Sequence, residues 1–351
     1  MISMLRKLLR AYRDAVIWYT KVVKVERQYD VPWQIRWRMY LKGFTADQYV
    51  RFDLEHNDSK DYLSEFERQK GRDINAPYQV ILDNKYVFCE LISRYIRVPA
   101  TYAYISRGKI RGLGEHKVDD TSILDFLIGK PSVVVKPVDK GDGRGVCVVR
   151  HEAGTYYIDD KAASEDEMKA LFAGYTDAIL SEFMVQSAFS KSLFPKSTNT
   201  LRILTAKMPN GEYEILSAVQ RVGNEISAPT DNLSRGGIVV QVDLETGELG
   251  RATPFYTEHA TEQVFFTHHP DTGEALTGKQ IPRWDELKQV VLDTASKLYF
   301  ISFIAWDFLI LEDGFCVIEG NASSGLNLFQ VWGGQRNGPI GQAYRRFGVL
   351  K

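Results

Sequence analysis

The first 24 residues carry a single helical pattern, because Leu5, Leu8, Leu9, Tyr12, Val16, Tyr19 and Val23 recur every three or four positions. Arg6, Arg10, Arg13, Lys21 and Lys24 fall between them, giving a basic amphipathic helix suited to packing on its own domain, on a partner chain or on an anionic membrane surface. Pro32 interrupts the pattern, and the acid-rich stretch from Leu54 to Lys70 predicts a second, exposed helix before the turn residues Gly71, Asn75 and Pro77. From Asn84, NKYVFCELISRYI predicts a helix ended by Val98-Pro99, and ATYAYI a strand with a turn at Arg107-Gly108. Two β-rich runs then surround a glycine-rich turn in SVVVKPVDKGDGRGVCVV, with a helix near Ser164 to Phe172 after them. AILSEFMV, NTLRILTAKM, YEILSAVQRV and GGIVVQVDL read as further strands. A helix from Trp284 to Leu298 precedes a final hairpin, AWDFLIL and FCVIEGN. Antiparallel hairpins, without regular βαβ alternation, predict an α+β fold.

Composition narrows the partners. With 351 residues and 44% hydrophobic content the chain can bury a large core. A formal net charge of -1 gives no sign of a nucleic-acid partner, so any charge logic is local. Cys89, Cys147 and Cys316 lie far apart in apolar runs, without the paired spacings of zinc or redox sites, and read as core thiols. The six histidines show no ligand spacing. The first 24 residues hold no apolar stretch long enough to span a bilayer and no signal-peptide cleavage pattern, so a cytoplasmic protein is expected.

The final hairpin holds the sharpest chemical signal. If Glu312-Asp313-Gly314 forms a three-residue loop with Gly314 in the left-handed position, Leu311 pairs with Phe315 and Asp307 stands opposite Glu319. Two facing carboxylates, with roughly 5 Å between Cβ atoms, repel unless a positive group lies between them. A hard divalent cation meets that need, and Asn321 on the same face adds a neutral oxygen, a set suited to magnesium. An acidic hairpin edge in solvent is the plain alternative, and a two-residue loop would shift the register. Lys136 ends the strand Val133-Val134-Val135, and Gly141, Gly143 and Gly145 follow within GDGRG; alternating glycines let backbone amides approach an anion while the lysine supplies charge. A glycine-rich hairpin turn is the competing reading, and neither a Walker A loop nor the protein-kinase order is present. Arg202, Arg221 and Arg235 lie at or near strand ends between these two features, where guanidinium groups could grip phosphate or carboxylate.

Taken in order, Lys85 in ILDNKYVF, Lys136 in VVVKPVDKGDGRGV, Glu182 in ILSEFMV, Arg202 in NTLRILT, and Asp307 to Asn321 in WDFLILEDGFCVIEGN resemble the ATP-grasp superfamily. NTLRILTAKM, DNLSRGGIVVQVD, HHPDTGEALTGKQIPRW and EGNASSGLNLFQ are similar, more narrowly, to its sugar-transfer-associated family, whose members are thought to act in cell-surface polysaccharide (capsule) biosynthesis. The resemblance covers about residues 80 to 335. It implies two α+β subdomains clamping ATP between antiparallel sheets, behind an N-terminal helical extension over 1–75. The expected division beyond it is 76–135 as linker and first part of the ATP-grasp module, 136–195 as small subdomain with glycine loop and hinge, and 196–351 as C-terminal subdomain. Lys85 and Lys136 match the phosphate-binding lysines, Gly141 to Gly145 the flap above them, and Glu182, Phe183 and Met184 the adenine hinge. Where relatives place an acidic ribose contact, Ser187, Phe189 and Ser190 stand, with Gln186 nearby. Arg202 matches the arginine steadying the transferred phosphoryl group, and Arg235-Gly236 resembles the substrate-side loop of the ribosomal-protein glutamate ligases. Asp307, Glu319 and Asn321 match the magnesium ligands. The implied activity is an ATP- and magnesium-dependent carboxylate-amine ligase working through an acyl phosphate, joining an amino acid or amine to a sugar acid on a small-molecule or glycan acceptor. An ATP-grasp phosphotransferase and a non-catalytic ATP-binding scaffold are the alternatives. The N-terminal helix adds a peripheral contact with the inner face of the membrane or with a partner protein as an expectation.

Overall fold

A computed structural model describes residues 2–26, 29–141, 143–257 and 259–351. The N-terminal segment forms α1 (Ile2–Ile17), continued by a π turn, then α2 (Trp33–Leu41), α3 (Ala46–Arg51), α4 (Glu65–Lys70), α5 (Gln79–Asp83) and α6 (Lys85–Ile92). Pro32 stands immediately before α2, where its fixed φ starts a helix as readily as it ends one. The long exposed helix predicted for Leu54 to Lys70 is replaced by turns and one short helix, and Leu54, Tyr62 and Leu63 are buried. A reciprocal cap between Ser64 and Glu67 sets the helix start at Glu65.

Two antiparallel sheets follow. The first joins β1 (Thr101–Ser106), β2 (Lys109–Gly112), β3 (Val133–Pro137), β4 (Cys147–Glu152), β5 (Thr155–Ile158), β6 (Lys161–Ala163) and β7 (Asp177–Glu182) in the order β2-β1-β7-β3-β4-β5-β6. Helices α7 (Ile123–Ile128) and α8 (Glu165–Ala173) cover one face, where Leu127, Met168 and Phe172 pack on Val133, Val135 and Val149. The alternation of a strand leaves Lys136 on the other face. A division at 135/136 passes through β3, between residues of one continuous strand.

After α9 (Ala188–Leu193) comes the second sheet: β8 (Leu201–Lys207), β9 (Tyr213–Val222), β10 (Ile238–Val242), β11 (Leu249–Pro254), β12 (Phe303–Leu311) and β13 (Gly314–Asn321), ordered β11-β10-β9-β8-β12-β13. It is covered on both faces. Ile203, Trp306 and Val240 pack beneath α10 (Trp284–Lys297), while Leu204, Val219, Phe303 and Ala305 meet Met39, Phe52 and Leu63 of the N-terminal segment. Ile340 and Tyr344 of the last helix, at Pro339–Arg346, complete that second layer. All of β12 is therefore buried, as a strand covered on both faces must be. Asn75 clamps the junction, accepting from the Ser302 and Phe303 amides at 2.9 and 3.0 Å and donating to the Phe303 carbonyl at 2.5 Å.

Candidate active site

On β12 the residues of one face run Phe303, Ala305, Asp307, Leu309, Leu311. Phe303 and Ala305 meet the N-terminal segment; Leu309 and Leu311 meet Met184 and Cys316 at the hinge. Asp307 thus interrupts an apolar face between two packed patches, and burial there would push its carboxyl up. The guanidinium groups of Arg202 and Arg221 outweigh that effect and hold it below the usual carboxylate range. Arg202 on β8, the cross-strand partner of Asp307, donates from Nε and Nη2 at 2.6 Å each, a bidentate pair. Arg221 on β9 adds Nη1 at 3.0 Å and spans to Asp231 at 2.7 Å. Asp231 is buried and also accepts from the backbone and hydroxyl of Thr200. It lies in DNLSRGG, and nothing in its local pattern marked it, since its partners come from other strands.

Asp307 does face Glu319, as the hairpin reading expects, although by a different route. The loop has two residues, so Leu311 pairs with Gly314, not with Phe315, and Gly314 sits at φ 150°, open to glycine but outside the expected left-handed turn. An extra residue at Ile318 then shifts the register between Asp307 and Phe308, and this bulge returns Glu319 to the position opposite Asp307. Asn321 pairs with Ala305 two residues further along and donates weakly to its carbonyl at 3.4 Å, and among the described residues its amide oxygen makes no hydrogen bond.

Lys85 opens α6, whose N-terminus is capped by Asn84. Its ammonium donates to the Lys140 carbonyl at 2.8 Å and lies 3.4 Å from Glu319, so it touches both the loop after β3 and the carboxylate pair. The glycine of the Glu319-Gly320-Asn321 run allows this approach: a Cβ at Gly320 would stand 2.5 Å from the Phe88 ring of α6. Lys136 is 8% exposed and, among the described residues, makes no hydrogen bond or ion pair. Burial lowers its pKa, with the nearby Lys85 charge adding to the effect. Cys316, whose thiol burial pushes up to about 12, stays a neutral core group beside it.

Gly141, Gly143 and Gly145 lie in the turn between β3 and β4; Asp142 is outside the described residues. Gly143 and Gly145 adopt φ of 64° and 73°, and Gly143 reaches toward Thr230 of the second sheet's loop, a Cβ there being 3.6 Å from its methyl. The turn therefore bridges the cleft between the sheets. At the hinge, Glu182 accepts from the Ala100 amide at 3.2 Å, Phe183 is 41% exposed, and Met184 is buried. Gln186 is engaged by the Ser197 carbonyl and the Asn199 amide, which ties it to the loop. Arg235 stands apart: its side chain is exposed and, among the described residues, pairs with nothing. Its neighbour Ser234 lines a cavity of about 310 Å³, together with Arg51, Arg68, Phe255 and Asn327, between the N-terminal helices and the second sheet.

The fit to ligands can be judged from the donors. A largely buried lysine with no hydrogen bond or ion pair among the described residues, beside a second lysine, matches a phosphate-bearing ligand, and Met184, Leu309 and Leu311 pack as a small apolar cluster at the hinge. Among the described residues no group of three His, Cys, Asp or Glu gathers as a self-sufficient metal site. Asp307, Glu319 and Asn321 are hard oxygen donors that fit a magnesium ion only when ligand oxygens and water complete its shell.

The family model described as sugar-transfer associated ATP-grasp matches residues 65–338, beginning somewhat before the span read from the motifs. Among solved structures, an ADP complex of N5-carboxyaminoimidazole ribonucleotide synthetase aligns at 15% identity and TM-score 0.38, over 70% of this chain and 46% of that one. The ATP-grasp ligase PsnB with its minimal precursor aligns at 17% identity and TM-score 0.41, over 78% and 63%. The synthetase from Thermotoga maritima aligns at 12% and 0.40, over 77% and 50%. The chain thus spans about half to under two thirds of the length of these structures. No curated protein sequence matches it.

Proposed function

The chain belongs to the sugar-transfer associated ATP-grasp family, and from that premise we propose that it is an ATP- and magnesium-dependent ligase joining a carboxylate to an amine. The observation that carries this reading is the convergence of Lys136, largely buried and without a hydrogen bond or ion pair among the described residues, with Lys85 and the facing Asp307 and Glu319. Charge held ready in a low-dielectric cleft suits phosphoryl transfer, where catalysis is mainly positioning and electrostatic stabilisation.

In this reading Lys85 and Lys136 hold the nucleotide phosphates, and the turn at Gly141 to Gly145 closes over them and excludes water. Met184, Leu309 and Leu311 take the adenine. Asp307, Glu319 and Asn321 hold magnesium, which supplies Lewis-acid charge to phosphate oxygens when bound. Arg202 and Arg221, fixed by Asp307 and Asp231, orient toward the transferred group. An acceptor carboxylate oxygen bonds to the γ-phosphorus as the bond to the β-phosphate oxygen breaks and ADP leaves. An amine nitrogen then bonds to the acyl carbon, phosphate leaves with the carbon-oxygen electron pair, and the amine proton passes to solvent. A sugar acid is the acceptor class in keeping with the family's association with sugar transfer, and the cavity beside Ser234 and Arg235 is the room for it. ATP as reactant puts the reaction on the cytoplasmic side.

The test is mass spectrometry of products formed from ATP, magnesium, a panel of hexuronic acids and a panel of amino acids and amines. Amide product with equimolar ADP and phosphate supports the ligase. A phosphorylated hydroxyl acceptor without condensation overturns it in favour of a phosphotransferase, and normal ATP binding without ATP consumption in favour of a scaffold.

A further inference from the structure

Helix α1 is seated with its polar side inward. Asp14 is buried, bonded to Arg72 at 2.7 Å, and its neighbour Arg13 reaches Asp73 at 2.6 Å. The apolar stripe lies on the opposite side, and Leu5, Leu8, Leu9, Tyr12 and Val16 are 40–71% exposed. An amphipathic helix packed only for its own domain would be turned the other way. The adjacent α2 repeats the arrangement: Met39 enters the core while Trp33, Trp37 and Leu41, spaced four apart, are 72%, 60% and 74% exposed. The two helices are joined at their ends by Trp18, whose ring meets Tyr40 of α2 edge-on at 6.5 Å.

Charge identifies what covers this surface. Residues 1–42 hold ten Lys or Arg against three Asp or Glu, a formal +7, in a chain whose total is -1. The acidic groups are also engaged by neighbours: Asp14 by Arg72, Glu26 by Arg36 and Tyr40, and Asp30 by His259. Lys21, Lys24 and Arg38 are exposed around the stripes. A second copy of the chain would bring the same positive surface and be repelled. Exposed tryptophans beside lysines and arginines suit the headgroup level of a bilayer, where the rings bury apolar area and the cations meet phosphate.

We propose that α1 and α2 together form a docking surface for an anionic lipid bilayer, lying in its interface without crossing it. No helix among the described residues is long and apolar enough to cross a membrane. This places the catalytic cleft beside a membrane, within reach of acceptors carried on lipids.

The experiment is cosedimentation of the full chain with vesicles of pure phosphatidylcholine and of phosphatidylcholine with about one third phosphatidylserine, at low and high salt. Binding to the anionic vesicles should exceed that to neutral ones by at least about tenfold and fall with salt. Trp33→Ser, Trp37→Ser and Leu41→Ser combined should lower it at least about tenfold, and Lys21→Glu with Lys24→Glu and Arg38→Glu should do the same. ATP affinity and melting temperature serve as folding controls for both variants. Equal binding to both vesicle types, unchanged binding by both folded variants, or no vesicle binding overturns the proposal. So does a shift from oligomer to monomer in the serine variant without any lipid binding, which would assign the surface to a second copy.

Discussion

Replacing Lys136 by methionine removes a charge while keeping an unbranched side chain of similar length, and its two consequences run in opposite directions. In the free protein Lys136 is largely buried, makes no hydrogen bond or ion pair among the described residues, and burial disfavours its charge, so methionine should stabilise the fold. The gain is at most that of a fully buried unsatisfied donor, about 1–3 kcal/mol, equivalent to a rise in Tm of up to roughly 1–4 °C for a chain of this size. The nucleotide complex loses a charge-assisted phosphate contact of about 1.5–3 kcal/mol, which weakens ATP binding by roughly 10- to 150-fold. The pH dependence follows from the direction of the shift. Burial lowers the folded pKa, so the unfolded chain binds the proton more tightly, and the penalty is complete below the folded pKa. It fades as pH rises toward the value of an unfolded lysine, and the stability advantage of Lys136→Met should shrink over that alkaline window. Chemical denaturation across pH, with titration calorimetry for nucleotide, measures both effects. Unchanged ATP affinity would refute the phosphate role, and a variant less stable than wild type would refute the reading of Lys136 as a strained, unpaired charge.

Three further outcomes are expected. Glu319→Gln should keep the melting temperature, since the side chain is a quarter exposed, but lower magnesium-dependent turnover at least about 100-fold; full activity would remove Glu319 from the metal site. Asp307→Asn leaves Arg202 and Arg221 facing one another across a buried space and should cost about 3–5 kcal/mol at neutral pH. Because the folded Asp307 carboxyl is depressed, that contribution is present above the ordinary carboxylate pKa and is lost as pH falls through the folded value; denaturation at neutral pH and at about pH 3 should show the gap closing in acid. Gly320→Ala places a methyl against Phe88 and should cost about 1–3 kcal/mol while moving Lys85 off Glu319, so stability and ATP affinity fall together; a loss in neither would mean that α6 can retreat freely.

Much of the architecture is legible locally. The runs Val133 to Val135, Ile203 to Leu204 and Ile238 to Val242, rich in valine and isoleucine, with glycine and asparagine turns between strands, are sufficient to place an antiparallel α+β fold. The final hairpin goes further, since Asp307 does oppose Glu319. Yet the sequence reaches that pairing through a three-residue loop, whereas the chain uses a two-residue loop and a bulge at Ile318. Both routes insert one extra residue between Leu311 and Glu319, in the loop in one and in the second strand in the other, and the choice is made by packing around the strands.

What the sequence could not contain is the set of contacts between residues far apart along it. Lys85 meets Glu319 across 234 positions and Arg202 meets Asp307 across 105, while Asp231 takes its place only because Arg221 and Thr200 arrive from other strands. Leu54 to Lys70 reads as an exposed helix because its acids dominate the local pattern, until the second sheet offers Leu54, Tyr62 and Leu63 a face to cover. The period of α1 shows that the helix is two-sided but not which side meets the protein. That is settled by Arg72, which binds Asp14 and turns the leucines outward. Periodicity is a property of one segment, whereas burial, ion pairing and orientation are properties of the neighbours that folding brings to it, and those neighbours exist only in the tertiary structure.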